Sequence, residues 1–237
     1  MSEYRIALAG NPNTGKSTLF NALTGLNQHT GNWPGKTVSL AEGTFDYKGN
    51  HFRLIDLPGT YSLFSNSADE EVARDYIIFE QPDVTMVVVD ATSLERNMNL
   101  ALQVLEMTDR VILCINLIDE AKRQGIIIDD ANIASRLGIP VVKMSARNGE
   151  GIPRLLDTLH KMISGQIITH PYRIQYNKQI ESLIQHIEPK IKEICGDSLP
   201  ARWLALRLLE GDESLIQVLK SKLAQKWQPS SATSAHG

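Results

Sequence analysis

The sequence predicts an α/β fold, a doubly wound and mostly parallel sheet, followed by a small all-helical domain. Three observations carry this. Short runs rich in Val, Ile and Leu alternate with stretches of helical period over the first two thirds of the chain. A glycine-rich loop, Gly10-Asn-Pro-Asn-Thr-Gly-Lys-Ser17, joins the first strand to the first helix, where doubly wound sheets bind phosphates. After Gly165 the strand signal stops, and apolar residues recur only at helical spacing.

Strands are expected at about 5–9, 38–47, 51–56, 84–90, 110–116 and 140–144. Helices are expected near 17–24, 69–80, 94–106, 129–137 and 152–163. Several starts have local causes. Ser67-x-x-Glu70 and Thr92-x-x-Glu95 read as capping boxes, and Pro153 suits a first helical turn. Lys48-Gly-Asn50 reads as a tight hairpin joining the second and third strands, which makes the second strand an antiparallel edge. Beyond residue 167, Ile180, Leu183, Ile184, Ile187, Ile191 and Ile194 form an apolar stripe, with Pro189 expected to kink or split that helix. A second helix starts at Asp197-Ser-Leu-Pro200, carries Trp203 and Leu204 and stops near Gly211. Leu215, Ile216, Val218, Leu219, Leu223 and Trp227 give a third. Domains are therefore expected at 1–166 and 167–228, with 229–237 a disordered tail or linker.

Composition narrows the classes. The chain has 237 residues, 42% of them hydrophobic, enough for one α/β domain and a small appendix. A net charge of −3 argues against a nucleic-acid or polybasic membrane surface. No run approaches the roughly 18 apolar residues of a membrane helix, and no leader precedes the first strand, so a soluble fragment is expected. Cys114 sits in an apolar strand, far in sequence from Cys195, and reads as a small buried residue in a reduced compartment. The six histidines are scattered without metal-ligand spacing, so no metal site beyond one serving a nucleotide is expected.

Residues 10–17 fit G-x-x-x-x-G-K-[ST] at every fixed position. Gly10, Asn11, Pro12, Asn13, Thr14 and Gly15 wrap an anion with backbone N–H groups, and Lys16 brings a point charge to the β- and γ-phosphates. Ser17 offers a hydroxyl to Mg²⁺, and Thr18 continues the cradle into a helix whose N-terminus attracts phosphate. The chain is expected to bind a nucleoside triphosphate.

The base is read from Asn116-Leu-Ile-Asp119, which follows a buried strand and resembles the [N/T]-K-x-D box of the GTPase superfamily. There the carboxylate, here Asp119, accepts from guanine N1–H and the 2-amino group, donors that adenine lacks. Asn116 steadies the loop, and Ser145-Ala146-Arg147 resembles the S-A-[KR] box that contacts the guanine oxygen. Asp56-Leu-Pro-Gly59 matches D-x-x-G: Asp56 holds Mg²⁺ through water, and the Gly59 amide senses the γ-phosphate. Between these lies a polar stretch, 26–36, with Gly35 and Lys36 leading into Thr37. Thr37 resembles the switch-I threonine that closes on the nucleotide and ligates Mg²⁺. The fold class sharpens to a Ras-like P-loop GTPase.

Two departures follow. Thr60 stands where Ras-like enzymes place a water-orienting Gln, so intrinsic hydrolysis is expected to be slow. Arg74 falls in a mixed helix face and reads as a solvated arginine rather than a built-in finger. Asn13 resembles the loop Asn of potassium-activated GTPases, whose side-chain oxygen helps hold K⁺; Gly31-Asn32-Trp33 would supply backbone carbonyls. The alternative is that Asn13 only stabilises a tight turn.

The phosphate loop, Gly31-Asn-Trp-Pro-Gly35, Asp56-Leu-Pro-Gly-Thr-Tyr-Ser-Leu63 and Asp90-Ala-Thr-Ser-Leu-Glu-Arg-Asn97 together resemble FeoB, the bacterial ferrous-iron transporter B family. The resemblance covers about 4–165 closely and 170–227 in helical character. It implies a GTP/GDP-binding, Mg²⁺- and K⁺-dependent GTPase domain and a helical spacer. It also implies a multi-pass channel in the same full-length protein, at the cytoplasmic face of the bacterial inner membrane. Leu117 replaces the usual Lys of the guanine box, as in FeoB proteins, and implies modest affinity with rapid exchange. Iron leaves no mark in these residues. Two rivals share the boxes: a ribosome- or tRNA-associated GTPase, and a nucleotide-dependent binding switch with negligible turnover. Oligomeric state is left open by the sequence.

Overall fold

The computed structural model describes residues 3–25, 28–34, 37–64, 67–196 and 199–226, with side chains to 221. The chain divides into two compact units, Met1–Ile174 and Gln175–Gly237.

The first unit is built on seven strands: β1 (Glu3–Gly10), β2 (Gln28–Asn32), β3 (Ser39–Tyr47), β4 (Asn50–Asp56), β5 (Val84–Asp90), β6 (Val111–Asn116) and β7 (Val141–Lys143). Their order across the sheet is β2-β3-β4-β1-β5-β6-β7. Pairing is parallel from β4 through β1, β5 and β6 to β7, and antiparallel on both sides of β3. The parallel strands read as continuous apolar runs because both of their faces are covered. Ile6, Leu8, Val84, Met86, Val88, Ile112 and Cys114 are all fully buried. Burial pushes the Cys114 thiol up to about 12, which leaves it uncharged and inert.

Register then decides where chemistry can happen. Leu8 pairs with Asp56, Gly10 with Val88, and Asp90 with Asn116. The ends of β1, β4, β5 and β6 thus deliver Gly10, Asp56, Asp90 and Asn116 to one edge, the carboxyl edge of the parallel sheet.

The helices of this unit are α1 (Lys16–Thr24), α2 (Ala68–Asp75), α3 (Leu94–Met107), α4 (Ile118–Arg123), α5 (Asp130–Leu137) and α6 (Ile152–Ile163). Ser67 caps α2 as expected, accepting from the Glu70 N–H. The box at Thr92 does not form. Asp90 instead caps a short 3₁₀ turn at Ala91–Ser93 by accepting from Thr92 N (2.7 Å), and α3 follows without a side-chain cap. The helix expected at 69–80 changes character within its length, from α2 to a π-helical turn at Tyr76–Glu80. Pro153 lies in the first turn of α6 as expected.

Other parts of the unit also differ from expectation: α4 has no counterpart among the expected helices. β2 occupies part of the stretch read as a loop, and it, not β3, is the sheet edge. Its sequence, Gln-His-Thr-Gly-Asn, has no apolar alternation, and every residue in it is exposed, so the pattern that marks strands is missing. The unit also extends past 166 to Ile174. His170 N donates to Gly138 O, Tyr172 N to Leu137 O and Ile174 N to the Glu106 carboxylate, tying this extended segment to the first unit by backbone bonds that side-chain pattern does not reveal.

The second unit contains α7 (Lys178–Cys195), α8 (Ala201–Glu210) and α9 (Glu213–Lys226). Pro189 does not split α7, which runs through it. Of the expected apolar stripe only Ile184 and Ile191 are buried, while Leu183 and Ile194 are about half exposed. Glu181 receives a two-pronged bond from Arg202 (2.8 Å each), which pulls its carboxyl down to about 2 and pins α8 to α7. Asp197, Ser198, the Leu223 side chain, Trp227 and the expected tail at 229–237 lie outside the described residues.

Arg74 corrects the sequence reading. Its side chain is 0% exposed and bonds the Asp75 carboxylate through Nε (2.9 Å) and Nη2 (2.8 Å). It forms an internal ion pair at the end of α2. Removing one partner of a buried pair destabilises by about 3–5 kcal/mol. Arg74→Ala is therefore expected to lower the stability of the first unit by about 3 kcal/mol, measured by urea unfolding. A midpoint equal to wild type would show that the pair contributes nothing.

Candidate functional site

The phosphate loop takes its shape from contacts that exclude side chains. A Cβ on Gly10 would stand 2.6 Å from Val88 O, so only glycine lets β1 lie this close to β5. Gly15 has φ +79°, and a Cβ there would stand 2.3 Å from the Asn116 amide nitrogen. Asn13 also lies at positive φ (65°), a conformation that Asn tolerates better than most residues. Thr14 Oγ1 donates to Asn11 O at 2.9 Å, closing the loop on itself. The resulting pocket, about 420 Å³, is lined by Asn11, Pro12, Asn13, Gly15, Lys16, Ser17, Thr18 and Gly59.

Electrostatics are concentrated at Lys16. It is 9% exposed, donates to Leu57 O at 2.6 Å and forms an ion pair with Asp56. Burial holds the Asp56 carboxyl above its usual range, and the neighbouring Lys16 charge offsets part of that rise. Gly59 faces Pro12 closely, with its Cβ position 3.4 Å from Pro12 Cα, so D-x-x-G and the loop share one wall. Ser17 is exposed on the pocket.

The residues expected to read the base are brought together by Asn116, which is 1% exposed. Its Nδ2 donates to Thr14 O (2.9 Å), and its Oδ1 accepts from Ala146 N (2.9 Å). One side chain therefore joins three boxes. Leu117 adopts φ +61°, an unfavourable left-handed conformation for a branched side chain, costing about 1–2 kcal/mol. Its Cδ2 lies 4.0 Å from where a Cβ on Gly15 would stand, beside the phosphate loop.

Asp119 sits in the first turn of α4. A hydrogen bond from Ser145 holds its carboxyl below the usual range, and Arg123 adds to this from one turn on, 3.3 Å from Oδ2. The Oδ1 atom is buried without a partner. A buried acceptor costs free energy until a donor meets it, and a base carrying N–H groups would meet it. Ser145 is 1% exposed and Ala146 5%, while Arg147 is on the surface. Arg123 was not singled out from the sequence, although its i, i+4 spacing from Asp119 was visible there.

Thr37 is not brought to the phosphate loop, and nothing among the described residues ties the exposed Arg147 to the other boxes. Thr37 sits at a bend closed by Trp33 N donating to Val38 O (2.8 Å), is exposed and does not line the pocket. Trp33 rests against Tyr76, ring centroids 5.7 Å apart. Gly35 and Lys36 lie outside the described residues.

The residues present fit a magnesium nucleotide: a glycine cradle, a lysine and a hydroxyl face one pocket, a carboxylate pairs with that lysine, and an acceptor without a partner lies at Asp119. Among the described residues no group of three or more His, Cys, Asp and Glu is gathered. None of their helices is long and apolar enough to cross a membrane.

Comparison with known proteins agrees with this geometry. Residues 4–159 match the family "Ferrous iron transport protein B", and residues 176–233 match "FeoB cytosolic helical domain". The Fe(2+) transporter FeoB of Methanocaldococcus jannaschii is 45% identical over 97% of this chain and 34% of its own length. That of Escherichia coli is 38% identical over 90% of this chain and 27% of its own. The chain thus spans about a quarter to a third of these relatives. Among solved structures, the cytosolic domain of T. maritima FeoB in a GDP form superposes with TM-score 0.82 at 38% identity, covering 97% of this chain and 89% of that one. The M. jannaschii FeoB G domain gives 0.62 at 48% identity over 69% and 99%. The chain belongs to the ferrous iron transport protein B family, as its GTP-binding G domain of the P-loop GTPase class followed by the family's cytosolic helical domain.

Proposed function

We propose that this chain is the regulatory GTPase part of a ferrous-iron transporter, at the cytoplasmic face of the bacterial inner membrane. Its slow, potassium-stimulated turnover acts on a membrane portion of the same protein. The observation that carries the reading is the buried, unpartnered Asp119 Oδ1 beside the Asn116 junction of the three boxes. In the occupied site, Gly10 to Thr18 wrap the phosphates, and Lys16 exchanges its bonds with Asp56 and Leu57 for phosphate oxygens. Ser17 and Thr37 would hold Mg²⁺, with Asp56 reaching it through water, and the ion would supply positive charge against the phosphates. Asn13 would offer its side-chain oxygen to K⁺. Asn116, Leu117, Asp119, Ser145, Ala146 and Arg147 hold guanine, and the Gly59 amide meets the γ-phosphate. Gly35 and Lys36 close with Thr37.

The base assignment has a direct test. Asp119→Asn exchanges two acceptors for one acceptor and one donor, so GTP affinity should fall strongly and xanthosine triphosphate should be favoured. Competition titration with a labelled nucleotide measures this, and unchanged GTP affinity would sink the assignment.

Thr37 must travel from the β2–β3 turn to reach Mg²⁺, a movement of the switch-I kind. Thr37→Ala should leave GDP affinity near wild type and reduce turnover about tenfold, ~1.4 kcal/mol of transition-state stabilisation. Equal single-turnover rates would move the role elsewhere, with Thr30 the next candidate.

Potassium should accelerate phosphate release over sodium at matched ionic strength, with the effect in kcat rather than in GDP affinity. Asn13→Ala should remove most of that preference. Indistinguishable rates in the two salts would exclude the cation mechanism.

A further inference from the structure

Segment 59–64 follows the γ-phosphate-sensing glycine and carries Thr60 in place of a glutamine. Four consecutive residues of it are pinned. Thr60 N donates to Gly10 O (3.3 Å), and Ser62 Oγ donates to Glu70 Oε1 (2.7 Å). Leu63 N donates to Gln103 Oε1 (2.7 Å), and the Leu63 side chain is 1% exposed. Between them the Tyr61 ring, 49% exposed, lies beneath the guanidinium of Arg96, whose Cζ is 4.7 Å from the ring centroid. Both Arg96 and Gln103 belong to α3, so one helix grips this segment at two points.

The base of Arg96 is itself fixed. Its neighbour Asn97 is 4% exposed, accepts from Asp90 N (3.2 Å) and donates to Ser93 O (2.9 Å). This network continues directly from β5, whose Val88 abuts Gly10. The phosphate loop and the grip on Tyr61 are therefore referenced to the same strand. It also gives the Asp90-Ala-Thr-Ser-Leu-Glu-Arg-Asn97 motif a purpose that nucleotide binding leaves unexplained.

We infer that Arg96 is a positioning residue for GTP hydrolysis, acting through Tyr61 to hold the Gly59–Thr60 backbone where the attacking water is oriented. This rests on the GTPase reading above. The physical reason is reach. A glutamine side chain can adjust its amide over several ångströms, whereas a threonine hydroxyl stays beside its own backbone. Without the long side chain, the backbone has to be accurate, and misplacement by about 1 Å can cost on the order of 100-fold in rate. A cation over an aromatic face, set on a rigid helix, supplies that accuracy without touching the nucleotide.

The test uses the 237-residue chain and its Arg96→Gln, Arg96→Lys, Tyr61→Leu, Tyr61→Phe and Arg96→Gln/Tyr61→Leu variants. Steady-state phosphate release gives kcat and KM, and a fluorescent GDP analogue gives affinity. Arg96→Gln and Tyr61→Leu are each expected to lower kcat about five-fold, with KM and GDP affinity unchanged. Arg96→Lys and Tyr61→Phe should retain most of the rate, because each keeps a cation over a ring. The double variant should be no slower than either single one. A wild-type kcat in Arg96→Gln, additive losses in the double variant, or a loss of GDP affinity matching the loss of rate would each overturn the positioning role. Absence of turnover in the wild-type chain, with GTP bound, would overturn the GTPase reading itself and the role with it.

Discussion

Everything the G domain does depends on one buried amide. Asn116 spends its donor on Thr14 O and its acceptor on Ala146 N, and almost none of it reaches solvent. The two bonds fix the distance between the loop that holds phosphate and the loop that reads the base. They also explain Gly15, since any side chain there would strike the Asn116 amide. A buried amide with both ends satisfied is rigid because every displacement breaks a bond that water cannot replace.

Beside that junction two opposite charges meet in a buried pair. Lys16 and Asp56 are both mostly buried, and each offsets part of the other's desolvation. In the occupied site proposed above, phosphate oxygens would compete for the lysine and a metal ion for the carboxylate. Asp119 is organised on the same logic. Ser145 and Arg123 keep it ionised, and one of its oxygens remains without a donor. Leu117 carries backbone strain between the two. These are costs that a folded chain retains where a ligand relieves them.

Two segments of the first unit are built to opposite standards. β2 is an exposed, polar edge joined to the sheet through β3 alone, and Thr37 beyond it is exposed and does not line the phosphate-loop pocket. Such an edge opens at low cost, because it has few apolar contacts to lose. Segment 59–64 is tied residue by residue to the loop, to α2 and to α3. The Trp33–Tyr76 contact sets a residue beside β2 against the π-helical turn that extends α2.

The nucleotide boxes and the central strands were legible because their causes are local. A glycine-lysine-serine loop needs its residue types wherever it occurs, and a strand covered on both faces must be apolar along its length. The apolar runs of β1, β5 and β6 and the identity of Asp119 therefore followed from residue order alone. What only the tertiary structure decided depends on partners distant in sequence. β2 forms because β3 offers an edge, although its own residues carry no strand pattern. Arg74 reads as solvated from its neighbours on α2, and burial with Asp75 is a property of what packs over that helix. Leu183 and Ile194 look like core and are not, because an amphipathic period fixes a helix's apolar face but not how much of it a small bundle covers. The reach of Arg96 over Tyr61 and the two bonds of Asn116 join residues tens of positions apart. Sequence specifies such chemistry as a set of residue types, and the packing of helices on a sheet selects which of them meet.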